Sequence, residues 1–533
     1  MPHVRRSMLI SVAADTERVH DALAETLELV PAPDDDDSEG QFSGPVVGMP
    51  DTSARLVATI VASTADTTQV QLETTSDVQV PFFTWFLRIQ AWLGARRALP
   101  HAAARLTAAA TGAEAPPPLK PLPVVPPVPF SPEQAGRLAA LAAVALVANF
   151  SGALLSQNGD AVTSAFARSD QALGVALAVA RAGVLVSLVA IALADRWGRR
   201  RLILMGLVGA CAANLLTAMA PTFEVFTGAQ LLNRALVNTV LIVAGIAAVE
   251  DAPEGARAFA TGMYALALGA GYGLSVVLLP LADLGDYGWR ISFAVSAGLV
   301  VLVPVIARHL KETRRFVRVA DRSATRGRVR ELLDSTYGMR FLLLGLAAFL
   351  TNVFSAPSSQ LTNRYLTHAH NFTNSDVAVF RTVTAGLPGI VGVLLASRLA
   401  ESRGRRPVTI IGLLVATVFQ AAFFVAGNDA LLWIAPVIAI VAAACAGLAL
   451  GTLDAELFPT EVRGTSSGFL LVSGVAGSAV GLVLATQLKD FAGGLGPAIA
   501  LCGIASLVAA IFVVPRLPET ADRRLDDVSP SEL

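Results

Sequence analysis

Twelve apolar stretches, each of about 17–24 residues, follow one another between residues 138 and 515. Each is long enough to cross a hydrocarbon core of ~30 Å as a helix. Because the backbone finds no water to hydrogen-bond within lipid, such stretches cross the bilayer as helices. We therefore expect an all-α membrane protein with twelve transmembrane helices. The expected spans are residues 138–157, 172–194, 202–220, 225–248, 259–281, 291–307, 341–358, 377–397, 408–426, 430–451, 468–487 and 497–515.

The composition of this chain of 533 residues agrees with a lipid environment. Hydrophobic residues make up 54% of the sequence and charged residues 15%, whereas a soluble domain carries about 25% charged residues. The net charge of −1 provides no basic field for nucleic acid, so we expect no nucleic-acid partner. The three cysteines lie within apolar stretches and predict no disulfide framework.

The first part of the chain has a different character and predicts a small α+β soluble domain at residues 1–112. Residues 1–132 carry 15 acidic side chains, including the run Asp34–Asp37. Alternating apolar residues predict strands, and Asp15 or Thr16 is placed to cap a helix. The expected strands are residues 8–14, 55–62 and 68–75, and the expected helices are residues 16–30 and 84–110.

The longer of these two helices is expected to have two unlike faces. The apolar face is expected to carry Phe86, Ile89, Trp92 and Leu93. The opposite face is expected to carry Arg88, Arg96 and Arg97. One alternative is that the segment Phe82–Leu93 lies on the membrane surface as an amphipathic helix.

The order strand, helix, strands, long helix in this domain resembles a shortened helix-grip domain of the START/polyketide-cyclase kind. That resemblance implies an apolar ligand, although it assigns no residue to bind one. A small cytoplasmic accessory domain is the alternative. Residues 113–132 follow as a linker, since nine prolines in positions 116–132 favour a polyproline II spacer.

The placement of Lys and Arg predicts how the spans are oriented. With the N-terminus inside, the inner loops and the C-terminal tail hold 24 basic residues. The outer loops hold four, which are Arg168, Arg290, Arg364 and Lys489. We therefore expect a multi-pass protein of the plasma (cell) membrane with both termini in the cytoplasm.

The membrane part repeats itself at an offset of 206 residues. A constant offset maintained over about 120 residues predicts an internal duplication, and two like six-helix halves are an architecture of secondary transporters. The matched pairs are Asp195 and Glu401, Gly198 and Gly404, Arg199 and Arg405, Glu250 and Glu456, Arg257 and Arg463, Gly262 and Gly468, and Gly271 and Gly477.

Four motifs resemble those of the major facilitator superfamily, over residues 134–520 and nearest to its sugar-porter and metabolite–proton symporter branches. They read A-D-R-W-G-R-R-R after the second span, S-R-L-A-E-S-R-G-R-R after the eighth, E-L-F-P-T-E-V-R-G-T after the tenth and L-P-E-T after the twelfth. Ile191 departs from the family, which usually has glycine there. The resemblance implies the major facilitator fold, with six-helix bundles at residues 133–307 and 341–515, a cytoplasmic loop at 308–340 and a cytoplasmic tail at 516–533.

The resemblance also implies a gating latch at the inner mouth of each half. In this family, acids and arginines of these loops hold the outward-open state and release it as the halves rock. The alternative is that the arginines only set the topology. The latch residues carried over are Asp195, Gly198, Arg199, Glu250 and Arg257 in the first half, and Glu401, Gly404, Arg405, Glu456 and Arg463 in the second.

Charged side chains within spans cost about 2.5–3.5 kcal/mol on insertion scales and are therefore functional candidates. Arg234 matches the arginine of the family's fourth-span motif, which implies a role in proton coupling or in binding a substrate anion. Arg181 lies about 21 Å from Asp195 along a helix that rises 1.5 Å per residue, so we expect it in the outer half of its span. A structural pair with a polar group is the alternative for Arg234. Arg381 is expected to extend to the outer interface.

Few acids are placed to carry a proton. Asp160 at the outer end of the first span is a candidate for the protonatable carboxylate, and a solvated loop acid is the alternative. Asn352 in the seventh span and Gln420 in the ninth are candidates to hydrogen-bond a substrate. Each of these three residues is therefore a candidate for substrate or proton coupling.

No motif of enzyme chemistry stands in the sequence. It has no G-x-x-x-x-G-K-[ST] nucleotide loop, no G-x-S-x-G elbow and no Cys/His cluster with metal-ligand spacing. We expect no enzyme, no cofactor and no metal. The prediction is a secondary active transporter of a small organic solute, working by proton-coupled symport and alternating access, with membrane lipid, solute and protons as partners. The alternative is a transporter-fold sensor whose N-terminal domain binds an apolar ligand or a partner.

Overall fold

A computed structural model describes most of the chain. The described residues are 4–27, 29–31, 41–45, 54–76, 80–119, 125–126, 128–253, 256–310, 338–458 and 463–520. Within helices, the side chains at 188–197, 258, 394, 397–398, 400–402, 455, 463–465 and 467 lie outside the described part. The acidic run Asp34–Asp37 and most of the expected loop at 308–340 also lie outside it.

The chain divides into two compact units. The first comprises Met1–Ala145, Ala244–Ala267 and Pro304–Arg315. The second comprises Leu146–Val243, Leu268–Val303 and Phe316–Leu533. The N-terminal sheet and its two helices belong to the first unit, and most of the membrane helices belong to the second.

An antiparallel sheet forms the N-terminal part, in the strand order β1 (Val4–Val12), β5 (Thr68–Ser76), β4 (Arg55–Ser63), β3 (Gln41–Pro45) and β2 (Val30–Pro31). The expected strands and helices are present there, although the first helix, α1 Thr16–Glu25, ends before the expected residue 30, and β2 and β3 are additional strands. Asp15 caps α1, because its carboxylate accepts a hydrogen bond from the Arg18 amide at 2.9 Å. The second helix is α2, Thr84–Thr111.

The apolar residues expected on one face of α2 are not its buried side, and the prediction that Arg96 lies opposite them was wrong. Ile89 is 48% exposed and Trp92 is 45% exposed, on the side that also carries the exposed Arg96, whose guanidinium lies 5.5 Å from the Trp92 ring centre. The buried side of α2 is instead lined mainly by alanine and leucine. Small side chains let the helix approach the sheet closely, and Leu99 and Leu106 fill the space between them.

Twelve helical spans long and apolar enough to cross a membrane occur among the described residues. They confirm the all-α membrane class, and spans 6 and 8 each combine two α-helices. Two short helices, Thr362–His370 and Lys489–Ala492, follow spans 7 and 11. Spans 1 to 12 are Pro132–Ala165, Asp170–Trp197, Arg199–Ala218, Phe223–Glu250, Arg257–Val277, Gly288–Gly298 with Val303–His309, Gly338–Gln360, Asn374–Arg381 with Leu387–Arg403, Arg405–Phe424, Asp429–Leu457, Arg463–Gln487 and Leu495–Val508.

The repeat of 206 residues is also a repeat of helix packing. A methyl group at Gly271 in span 5 would collide with the carbonyl oxygen of Leu146 in span 1. One at the matching Gly477 in span 11 would collide with the carbonyl oxygen of Phe349 in span 7. Glycine lets these backbones touch, so each half is built on the same close contact. A second repeated contact joins Gly206 to Val240 and Gly412 to Ala446.

Candidate transport site

The two halves contact each other at one end of the bundle. We call this the outer end, following the orientation expected from the sequence, and the opposite end the inner end. Asn363, after span 7, donates a hydrogen bond to the side-chain oxygen of Gln157 in span 1 at 3.0 Å. Ser375 in span 8 donates one to Asp283, after span 5, at 3.0 Å. These contacts hold the outer ends of the halves together.

An ion cluster lies within the same outer contact. Arg364 of the second half is 2.6 Å from the Asp160 carboxylate of the first half, and it also pairs with Asp170 at the start of span 2. Lys489, after span 11, is a second partner of Asp170. The side chains of Asp160 and Asp170 are 12% and 10% exposed. The alternative of a solvated loop acid for Asp160 was therefore wrong.

Sequence reasoning missed the partners in this cluster. The sequence places Arg364 and Lys489 in the outer loops without indicating a partner, and it does not mark Asp170 as a candidate. The residues of each pair lie far apart in the sequence, so no local spacing links them. The one available signal was the scarcity of outer charges, since a few acids and bases at one membrane face are close enough to pair.

A cavity of about 160 Å³ lies between the halves, next to the outer contact. The first half contributes Arg181 from span 2 and Arg234 from span 4, and the second half contributes Ser359 and Gln360 from span 7. The structure therefore brings together two of the three span arginines that the sequence singled out, Arg181 and Arg234. Further lining residues include Asn149, Ser156, Gln230, Asn233 and Tyr272.

Neutral groups hold both arginines. Arg234 donates to the carbonyl oxygen of Gly152 at 3.1 Å. Arg181 donates to the Ser478 hydroxyl at 3.4 Å, and its Nε lies 2.9 Å from the Gln360 amide oxygen when that amide faces it. Among the residues that the structure describes, no carboxylate lies within ion-pair distance of either guanidinium.

Asn352 lies at the contact of spans 7 and 11 and does not line this cavity. Its side-chain oxygen accepts a hydrogen bond from Ser478 at 3.2 Å, and its amide group donates to the carbonyl oxygen of Ala348 at 2.9 Å. Because Ser478 also accepts from Arg181, Asn352 is linked to the arginine through one hydroxyl. Its role as a direct substrate ligand stays a prediction.

A second cavity, of about 310 Å³, lies within the second half. Gln420 lines it, as do the rings of Phe354, Phe380 and Phe423. Ser359 lines both cavities. The second cavity therefore adjoins the first and is the more apolar of the two.

Arg381 also lines the second cavity, and the expectation that it extends to the outer interface was wrong. The residue is only 9% exposed. It donates to the side-chain oxygen of Asn363 and to the carbonyl oxygen of Ser359, both at 2.9 Å. Fixed protein acceptors beside the outer contact, and not interfacial water, thus bind its guanidinium.

The inner end of the second half contains a compact polar cluster. Arg405 lies 3.1 Å from the Glu456 carboxylate, which also accepts a hydrogen bond from Thr520. Glu519 accepts from the backbone amides of Arg405 and Arg406 at 2.9 and 3.0 Å. A carboxylate is stabilised at the N-terminus of a helix, so Glu519 of the L-P-E-T motif caps span 9. The sequence prediction did not include Glu519 in the latch.

Glycine is required at the start of spans 3 and 9. Gly198 has a φ of 84° and Gly404 a φ of 92°, with extended ψ values of 143° and 153°. This region of backbone conformation is essentially restricted to glycine. The matched Gly of the two loop motifs therefore makes the same sharp entry into a helix in both halves.

The other latch candidates are only partly described. In the first half, Arg199 and Glu250 are half-buried and Arg257 is exposed. The side chains of Asp195, Glu401 and Arg463 lie outside the described part of the chain. Their pairing in a latch stays a prediction.

The family of the chain follows from comparison with known proteins. A family model described as the Major Facilitator Superfamily matches residues 138–380 and 343–530. The chain belongs to the Major Facilitator Superfamily. It is accordingly a secondary transporter and an integral membrane protein, in a class that is not enzymatic. The matched residues begin after the N-terminal domain, whose fold family and apolar ligand stay predictions.

Two curated relatives illustrate where this superfamily member stands. A probable 4-methylmuconolactone transporter of Cupriavidus pinatubonensis is 25% identical over 353 residues, which cover 64% of this chain and 80% of the relative. A D-xylose-proton symporter-like protein of Arabidopsis thaliana is 23% identical, with coverage of 64% and 78%. Both matches agree with the metabolite and sugar–proton symporter branches suggested by the sequence motifs.

Solved structures support the same fold. The inward open conformation of the xylose transporter XylE from E. coli aligns with a TM-score of 0.60. The alignment covers 73% of this chain and 98% of the transporter at 16% sequence identity. At this level of identity the similarity shows the major facilitator fold alone.

Proposed function

We propose that this protein carries a small organic solute across the membrane together with protons, by symport and alternating access. The observation that carries the proposal is the cavity lined by Arg181 and Arg234 of one half and by Ser359 and Gln360 of the other. A site shared between two rocking halves is exposed to each side in turn. The similarity to a probable 4-methylmuconolactone transporter and to a D-xylose-proton symporter-like protein supports an organic solute and a proton as the cargo.

The proton site proposed is Asp160 in the outer ion cluster. Among the described residues that line the cavity between the halves, none is acidic, whereas Asp160 and Asp170 lie in the outer contact beside it. A proton on Asp160 would remove one of the charges that hold Arg364. Weaker pairing favours separation of the outer ends, which links proton uptake to opening toward the outside.

Release of the solute at the inner end is proposed to involve the two gating latches. The pairing of Arg405 with Glu456, together with the helix cap from Glu519, supports the second latch. As the halves rock, these charge-assisted bonds would break while the bonds at the outer end form. The free energy lost at the inner end would then be balanced by the free energy gained at the outer end. In this proposal the chain lies in the plasma membrane with both termini in the cytoplasm, as the 24 inner and four outer basic residues predict.

The test is proton flux in proteoliposomes that enclose a pH-sensitive dye, with equal pH on both sides at the start. Members of a solute panel of sugars, polyols, lactones and organic acids are added outside. Symport predicts internal acidification, faster than in protein-free liposomes, for at least one solute. Internal alkalinisation would indicate antiport, and solute uptake without any pH change would indicate uniport.

The variant Asp160→Asn separates the proton site from the rest of the proposal. Solute exchange between equal concentrations needs no net proton movement, whereas net uptake does. We therefore expect Asp160→Asn to retain exchange and to lose proton-driven accumulation. If accumulation is unchanged, Asp160 does not carry the proton. If the wild-type protein shows neither proton flux nor solute uptake with any solute of the panel, the sensor alternative gains support.

A further inference from the structure

Among the described residues, those that line the cavity between the halves include two cationic side chains and no acidic one. Arg181 and Arg234 both line it. Their hydrogen-bond partners are a carbonyl oxygen, a hydroxyl and an amide. Within the described ranges, no Asp or Glu lines the cavity or pairs with these arginines. Buried charges in proteins are normally paired, so this arrangement is complete only when an anion enters.

Arginine is well suited to one kind of anion. Its planar guanidinium presents parallel N–H donors that match the two oxygens of a carboxylate. Arg181 and Arg234 come from different spans of the first half, so they approach the cavity from two directions. A single carboxylate between them would receive donors from both.

The adjoining cavity in the second half is more apolar, although Arg381 also lines it. Its lining includes the rings of Phe354, Phe380 and Phe423. Ser359, which lines both cavities, marks where they meet. A solute with its carboxylate at the arginines therefore has room to place an apolar body among these rings.

Two hydroxyl groups of the second cavity indicate a polar atom on that apolar body. The Oγ of Ser358 and the Oγ1 of Thr351 are buried and lack a hydrogen-bond partner among the described residues. Both residues line the cavity. Buried hydroxyls without partners are unfavourable, and a hydroxyl or carbonyl oxygen on the solute would supply the missing bond.

We propose that the transported solute is a small amphipathic carboxylate, bound by Arg181 and Arg234 through its acid group and by the phenylalanine-lined cavity of the second half through an apolar ring. This assignment rests on the proposed transport function and adds the substrate class to it. The acid group of the solute then contacts the first half, and its apolar ring contacts the second half. Both halves therefore bind the same molecule when the site closes. Neutral sugars lack the charged head, and small hydrophilic acids lack the body.

Ligand-dependent thermal unfolding of the purified full-length protein tests the assignment without transport. The probes are 4-hydroxybenzoate and benzoate, with benzamide as the neutral match, gluconate as the hydrophilic acid and phenyl phosphate as the alternative anion. We expect the melting temperature to rise with millimolar 4-hydroxybenzoate or benzoate. We expect no comparable rise with benzamide or gluconate.

Substitution of the arginines identifies the site. Arg234→Gln and Arg181→Gln are each expected to raise the Kd for the aromatic carboxylate at least tenfold. Arg234→Lys keeps the positive charge, so we expect this variant to retain the preference for benzoate over benzamide. It tests the site if Arg234→Gln does not fold. Arg168→Gln is the matched control, since Arg168 pairs with Glu224 on an exposed surface of the same half, and its Kd should equal that of the wild type.

Three results would overturn the substrate class. They are equal stabilisation by benzamide and benzoate, stabilisation by phenyl phosphate but by no carboxylate, and no response to any carboxylate probe. A carboxylate response that survives both glutamine variants would overturn the site. These outcomes differ from failure of the proposed function, which would leave arginine-dependent carboxylate binding intact while proton flux is missing.

Discussion

The guanidinium of Arg364 lies 2.6 Å from the carboxylate of Asp160, although the two residues belong to different halves of the duplicated fold. Arg364 also binds Asp170. Both carboxylates are largely shielded from solvent, so their attraction to the arginine is screened less than at an exposed surface. This relationship makes Arg364 the central residue of the outer contact.

Arg364→Gln is therefore predicted to open the outer end. The substitution leaves Asp160 and Asp170 without their shared cation, and removing one partner of a buried pair is strongly unfavourable. We expect the ratio of open to closed outer ends to rise at least tenfold, which corresponds to about 1.4 kcal/mol. Pulsed electron resonance distances between spin labels at Tyr287→Cys and Phe491→Cys, both highly exposed in the native chain, report the change.

The matched control for this measurement is Arg168→Gln. Arg168 pairs with Glu224 within the first half, so its loss should leave the distance distribution unchanged. The three native cysteines are buried and should stay unlabelled. A distribution in Arg364→Gln that equals that of the wild type would contradict a role of the cluster in closure.

The repeated glycine contacts predict paired effects on stability. Gly271→Ala and Gly477→Ala would each place a methyl group against a backbone carbonyl of the neighbouring span. We expect each to destabilise the protein by about 1–3 kcal/mol, seen as a lower melting temperature in detergent. Gly269→Ala and Gly468→Ala lie in the same two spans with open space around the added methyl and should be neutral. Equal effects of all four variants would argue against the duplicated contact.

The inner cluster predicts a loss of transport on neutralisation. Glu456→Gln weakens the bond to Arg405 while keeping the size of the side chain. We expect solute uptake into proteoliposomes to fall about tenfold, with unchanged insertion and expression. Asp429→Asn at the other end of the same helix, where the side chain is exposed, serves as the control. Uptake by Glu456→Gln at the wild-type rate would restrict the cluster to a structural role.

The backbone at Gly404 predicts strain for any other residue. With φ at 92°, Gly404→Ala should cost about 1–3 kcal/mol, and its methyl group would also press on the Glu519 carboxylate. Gly198→Ala should cost a similar amount for its φ of 84°. Thermal unfolding measures both, with Gly427→Ala, which meets open space, as the reference. A melting temperature equal to the reference would show that the loop adapts.

The sequence was informative wherever a signal is local or periodic. Span length and hydropathy predicted the twelve helices, and the 206-residue offset predicted that Gly271 and Gly477 hold equivalent places. The strands β1, β4 and β5 were also predicted, because each has a strand-like composition with partial alternation of apolar residues. The strand β2 has only two residues, too few to give a period.

The sequence was uninformative where partners are distant. Nothing near Asp160 indicates that Arg364 binds it, because the two residues are about 200 positions apart in different halves. The prediction for Arg381 failed for the same reason. Its position suggested a guanidinium in interfacial water, but the acceptors that bind it lie on span 7 and on the helix after it. On α2, the sequence placed Ile89 and Trp92 on one apolar face without indicating which face packs on the sheet. The helix packs through its alanines and leucines, so Ile89 and Trp92 are exposed.

Reversible cross-linking of the outer ends tests alternating access most directly. Ser375 and Asp283 contact each other across the halves, so Asp283→Cys with Ser375→Cys places two thiols at an exposed outer position. We predict that oxidation of this pair stops uptake of the transported solute into proteoliposomes and that a reducing agent restores it. A cysteine pair at Arg168 and Glu224, within one half, should transport in both states. Full uptake by the cross-linked Asp283–Ser375 variant would contradict transport by separation of the outer ends.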